Sequence, residues 1–150
     1  MYWGTVVPNG LIWLKEVGRK FKSQDYIDLL KTFAVPLWNL NMTSSYGVVQ
    51  DNATIHKSKL VNEFMINQDF KFLDYPKKSP DLNPMENICK MISDQVYKEA
   101  QPNNLMELRC KINQSVTFFN FNKITMIAAL FDDYRERLTK VLINCRNLIN

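Results

Sequence analysis

The 150-residue chain, 46% apolar and 23% charged, has the length for one ordinary hydrophobic core and the composition of a globular protein. A net charge of +4 permits a nucleic-acid partner without requiring one. Three dispersed cysteines (Cys89, Cys110 and Cys145) and a single histidine, His56, exclude a disulfide framework, a structural zinc site and a multi-histidine centre. The thiols read as free and buried or half-buried.

Met1 to Val7 is rich in Tyr, Trp and Val, and Pro8-Asn9-Gly10 is a strong turn signal before the apolar run Leu11-Ile12-Trp13-Leu14. This predicts a β-hairpin. No signal peptide is expected, because Met1-Tyr2-Trp3-Gly4 lacks a basic start and a long apolar run. No stretch approaches the roughly 18 apolar residues of a membrane helix, so no membrane partner is expected. From about Gln24 to Leu40, apolar residues recur at three- and four-residue spacing, which predicts a helix that Pro36 ends or kinks. Tyr46 to Gln50 is a short apolar run ending at Asp51, the pattern of a buried strand. Lys57 to Asn67 reads as a helix with Leu60, Val61, Phe64 and Met65 as its buried stripe, and Phe70 to Tyr75 alternates like a strand.

A polar, proline-rich loop follows from Pro76 to Pro84, and everything beyond Met85 reads as helical. One helix runs to about Glu99. A second starts near Asn104, whose spacing to Glu107 makes a cap. A third runs from about Lys123 to Cys145, and the aromatic and methionine positions of these helices read as core. Strands first and helices after imply an α/β fold, a mixed sheet flanked by helices, with no internal repeat or linker.

Two segments carry the residue types of a chemical site. Gln50-Asp51-Asn52-Ala53-Thr54-Ile55-His56 closes the candidate buried strand, and Ser79-Pro80-Asp81-Leu82-Asn83-Pro84-Met85-Glu86-Asn87 opens a helix. One carboxylate from a strand end and one from a helix start can converge on a hard divalent cation, which takes few protein carboxylates and completes its shell with water and phosphate oxygens. Each piece also has a structural reading. Asp51 fits a turn residue, Glu86 fits the third position of a helix begun by Asn83 and Pro84, His56 fits a satisfied structural histidine, and Lys77 and Lys78 fit a solvated loop. Spacing alone favours these structural readings.

The two segments resemble signatures of mariner-type DDE transposases. QDNATIH is similar to their Q-D-N-A-P-x-H segment and YPKKSPDLNPMEN to their W-P-x-x-S-P-D-L-N-P-I-E-N segment, with thirty-four residues between Asp51 and Glu86. MYWGTVVPNG looks like the family's W-G-x-x-x-x-x-G hairpin, and the segment from Tyr134 to Asn147 resembles its terminal R-L-x-x-V-I helix. The resemblance implies a ribonuclease H-like fold and metal-dependent phosphodiester hydrolysis and strand transfer on DNA, at transposon ends and target, in the nucleus. By motif position Asp51 and Glu86 match the second aspartate and the glutamate of the catalytic triad, as ligands of Mg2+ or Mn2+. Asn52, His56 and Asn87 match supporting positions around them. Lys77 and Lys78 are DNA-phosphate candidates, and the full-length protein is expected as a homodimer.

The departures are specific. The family's first catalytic aspartate lies on a strand ahead of the hairpin, and neither Glu16 nor Asp25 stands in the right element to replace it. Residues 1–150 therefore read as a partial, N-terminally truncated catalytic domain with a helical C-terminal half, expected to be inactive alone. Cys89 stands where the family usually has tryptophan, and Thr54 where it has proline. The competing expectations are a non-catalytic transposon-derived remnant, acting as a DNA- or protein-binding module or without function, and, less favoured by the SPDLNP-x-EN match, a related ribonuclease H-like nuclease.

Overall fold

The computed structural model describes residues 1–41, 47–51, 53–71 and 83–132. Strands β1 (Tyr2–Val6) and β2 (Ile12–Glu16) form the expected hairpin. Its turn closes through Gly10 N–H donating to the Val7 carbonyl at 2.9 Å. Gly10 has φ +87°, and a Cβ there would lie 2.1 Å from the Ile124 carbonyl oxygen, so glycine is required by both backbone and space. Helix α1 (Ser23–Leu29) follows, its start fixed by the Asp25 carboxylate accepting from Lys22 N–H at 2.8 Å. Pro36 does not end this helix. A π-helical turn (Leu30–Ala34) leads into α2 (Val35–Asn41), with Val35 N–H reaching back five residues to the Leu30 carbonyl. The extra residue in the turn carries the chain past a proline that cannot donate and whose ring crowds the carbonyl four residues earlier.

Of the expected strand ending at Asp51, residues 47–51 are described, and there Val48 forms a bridge, its N–H donating to the Lys71 carbonyl at 2.7 Å. Most of the second expected strand, 72–75, lies outside the described residues. A 3₁₀ turn (Thr54–Lys57) precedes α3 (Lys59–Asn67), which Ser58 caps by accepting from Val61 N–H. Further along come α4 (Pro84–Val96), α5 (Leu105–Asn122) and α6 (Ile124–Asp132). Asn104 caps α5 as expected, accepting from Glu107 N–H at 2.9 Å. The expected helix beyond Asp132, including the segment resembling the family's terminal helix, lies outside the described residues.

The chain forms two compact units. In Met1–Trp3 with Glu16–Lys78, the core is Tyr26 and Ile27 of α1, Leu30 of the π turn, Val61 and Met65 of α3, and Phe70. Only part of the expected α3 stripe is inside: Phe64 is half-buried and Leu60 is exposed. In Gly4–Lys15 with Ser79–Asn150, the core is Ile12, Ile88, Ile92, Val96, Phe119 and Ile127. There the Asn120 side chain accepts from Ile12 N–H and donates to the Ile12 carbonyl, both at 2.9 Å, and so ties β2 to α5. The expectation that the helical aromatics and methionines are core fails on one side: Met106, Phe118, Phe121 and Met126 are exposed. α5 is apolar on two faces, and the buried face is the one carrying Ser115 and Phe119. Cys89 and Cys110 are free and exposed, which corrects the expectation of buried thiols; Cys145 lies outside the described residues. Among the described residues, no helix is long and apolar enough to cross a membrane.

Candidate metal-binding carboxylates

Asp51 leaves the Val48 bridge at the surface of the first unit, with its side chain 62% exposed. Its carboxylate is nevertheless held. Oδ1 accepts from Ala53 N–H at 3.0 Å, which folds the chain back on itself, and lies 2.7 Å from His56 Nδ1. The 3₁₀ turn is what brings His56 round: His56 N–H donates to the Ala53 carbonyl at 3.0 Å. The same Nδ1 lies 3.3 Å from the Asp51 backbone carbonyl. Both neighbours are acceptors only, so the proton of this imidazole sits on Nδ1. Among the described residues, the bonds to this carboxylate both end on Oδ1.

Two residues that the periodicity reading did not single out complete this cluster. Tyr26, which helical spacing marks only as a core position, stacks on His56 with ring centroids 4.5 Å apart, and its hydroxyl donates to Gln50 Oε1 at 3.2 Å. Burial, and then the nearby Asp51 charge, push the Tyr26 phenol up to about 12, against a smaller opposing effect of a hydrogen bond with Trp3. Gln50 belongs to the QDNATIH segment, so proximity to Asp51 was the one signal available for it.

Glu86 occupies the first turn of α4 in the second unit. The helix start does not use its carboxylate. The Asn83 side chain accepts from Met85 N–H at 3.0 Å, and the Asn83 carbonyl takes Glu86 N–H at 3.0 Å. Among the described residues, the exposed Glu86 carboxylate accepts no hydrogen bond. A negative group there still suits the positive end of the helix dipole. One turn on, Cys89 is exposed, yet local crowding and then the Glu86 charge raise its thiol above its ordinary value, so it is a poor nucleophile. Asn87 is half-buried on α4, while Asn52, Lys77 and Lys78 lie outside the described residues. Among the described residues, no three His, Cys, Asp or Glu side chains gather in one metal-holding group. Asp51 in the first unit and Glu86 in the second are each an exposed carboxylate, a hard oxygen donor of the kind magnesium and manganese take.

Comparison with known proteins places these residues in a family. The family model described as DDE superfamily endonuclease matches residues 3–109, a span that contains Asp51 and Glu86. The Tc3 transposase of Caenorhabditis elegans is 30% identical over 99 residues, 66% of this chain and 30% of that protein. The Tc1 transposase of the same organism is 23% identical over 142 residues, 95% of this chain and 50% of that protein. The chain thus spans 30% to 50% of the length of these curated relatives. Among solved structures, that of the Mos1 transposase catalytic domain and raltegravir with Mn is similar at a TM-score of 0.54 and 14% identity, covering 83% of this chain and 67% of that one. This likeness gives the fold: α/β and ribonuclease H-like, as the resemblance implied. The family match and the transposase relatives agree with the two signature segments, and the chain belongs to the DDE superfamily endonuclease family.

Proposed function

We propose that this chain supplies two of the three metal-binding carboxylates of a nuclear DNA transposase, Asp51 from the end of the Val48 bridge and Glu86 from the first turn of α4. The observation that supports the reading is the state of Glu86: its helix is capped by Asn83, and among the described residues its exposed carboxylate accepts no hydrogen bond, at the motif position of the most specific signature segment. A bound Mg2+ or Mn2+ would activate water or a 3′-hydroxyl for attack on a phosphodiester and stabilise the departing oxygen. Asp51 would present Oδ2, with Oδ1 held by His56. Asn52 and Asn87 would support the two ligands, and Lys77 and Lys78 would contact the phosphates of transposon ends and target. The third carboxylate would come from a segment ahead of the hairpin, and the full protein would act as a homodimer.

The test is Mn2+ binding to residues 1–150, followed by the loss of the free-ion paramagnetic resonance signal. Asp51→Asn and Glu86→Gln are each expected to weaken binding by at least about tenfold, because each removes a charged ligand. The same chain with Mg2+ and supercoiled plasmid is expected to give no nicking. Mn2+ affinity unchanged in the double variant would sink the assignment, and nicking that vanishes in Glu86→Ala would show that a further acid already completes the site.

A further inference from the structure

Asp51 is exposed, yet Gln50, immediately before it, and His56, five residues on, are both met by a residue from the core of their unit. Tyr26 is 3% exposed, and Trp3 and Phe21 meet its ring edge-on at centroid distances of 6.5 and 6.4 Å. From this buried position it makes two contacts that bracket Asp51. Its hydroxyl donates to the side chain of Gln50, immediately before Asp51, and its face lies against the imidazole of His56, tilted by 32°. His56, with a side chain only 13% exposed, in turn holds Asp51 Oδ1 at 2.7 Å. A surface carboxylate on an irregular segment ordinarily samples several rotamers, and a metal ligand that must first be ordered binds more weakly.

We propose that Tyr26 and Gln50 are positioning residues: Tyr26 locks the His56 ring and the Gln50 side chain together, so that Nδ1–H pins Asp51 Oδ1 and Oδ2 is presented in one orientation to a divalent cation. The inference rests on the metal reading of Asp51 given above. It differs from a purely structural role for Tyr26 in requiring that the effect reach the metal through the state of one imidazole.

That state is directly readable, because His56 is the one histidine of the chain. In the metal-free chain at constant neutral pH, the imidazole ¹⁵N spectrum is expected to show the Nδ1–H tautomer, the one less favoured for free histidine, with a slowly exchanging proton. Tyr26→Leu removes the stacking face and is expected to convert this spectrum to a tautomer mixture and to weaken Mn2+ binding by about tenfold. Tyr26→Phe keeps the ring and loses the Gln50 bond. Its His56 spectrum should stay unchanged while Mn2+ weakens by about threefold, the value of one ordinary hydrogen bond. His56→Ala should weaken Mn2+ as Tyr26→Leu does, whereas His56→Asn, whose amide nitrogen can occupy the Nδ1 position, should restore most of the affinity. Combining Tyr26→Leu with His56→Ala should cost no more than either alone.

An Nε2–H tautomer in the unmodified chain would overturn the proposal, as would additive losses in the double variant or failure of His56→Asn to restore binding. Tyr26→Phe and His56→Asn keep the test decisive if Tyr26→Leu does not fold. Mn2+ binding indifferent to Asp51→Asn would refute the metal reading itself and is recognised separately, since the His56 spectrum would then still show the lock with nothing for it to serve.

Discussion

Tyr26 carries a second, independent consequence through its ionisation. Folding raises its phenol from the ordinary 10.0 to about 12. Between those values the unfolded chain has released a proton that the folded chain retains, so stability is intact below pH 10 and falls as pH rises towards 12. A displacement of that size corresponds to about 2–3 kcal/mol for a buried group. Urea unfolding at pH 9 and pH 11.5 should show this loss in the unmodified chain and a much smaller one in Tyr26→Phe; equal losses would place the alkaline sensitivity elsewhere. The residue scale also divides what was legible in the sequence from what was not. Asp51 and Glu86 stand out because signature segments surround them, and the structure gives each an exposed carboxylate. Tyr26 does not, because its spacing within a helical stripe marks burial only, and its meeting with His56 depends on a 3₁₀ turn that no local pattern announced.

Helices were the elements most readable from periodicity, and their ends follow local chemistry. α3 stops in a Schellman arrangement: Asp69 N–H donates to the Ile66 carbonyl at 3.0 Å and Phe70 N–H to the Met65 carbonyl at 3.2 Å, with Phe70 buried beneath. The residue that turns the chain is Asp69, at φ 53°, where glycine is the usual occupant. Left-handed backbone costs an L-residue about 1–2 kcal/mol, and glycine returns part of that gain as extra freedom in the unfolded chain. Asp69→Gly should therefore stabilise the protein by about 0.5–1 kcal/mol in urea unfolding, and a destabilised variant would mean that the Asp69 side chain itself holds the turn. Strands were less legible. The apolar run before Asp51 has strand composition, and among the described residues it shows one bridge, at Val48, before Asp51 draws Ala53 N–H onto its own side chain and turns the chain. The π turn before Pro36 was likewise hidden, since the sequence shows where a proline stands and not how a helix widens to admit it.

At the scale of the molecule, the family's fold was legible from two segments, whereas the division of the apolar residues between core and surface was not. Nearly half of the residues are apolar, more than the two cores take up, and helical spacing cannot say which of two apolar faces turns inward. α5 is the clearest instance: Phe119 is 6% exposed and its near neighbour Phe121 is 81% exposed. The energetic asymmetry follows from packing. Ile88 is fully buried among Ile12, Ile92 and Ile127, and truncating it leaves a cavity that rigid helices fill only in part. Ile88→Ala should cost about 2–5 kcal/mol, whereas Phe121→Ser, which removes a ring already in water, should change stability by no more than about 0.5 kcal/mol. Urea unfolding of both variants at micromolar and at tenfold higher concentration checks this. A cost for Phe121→Ser that approaches that of Ile88→Ala and grows with concentration would show that the outer face of α5 is covered in solution by another copy of the chain.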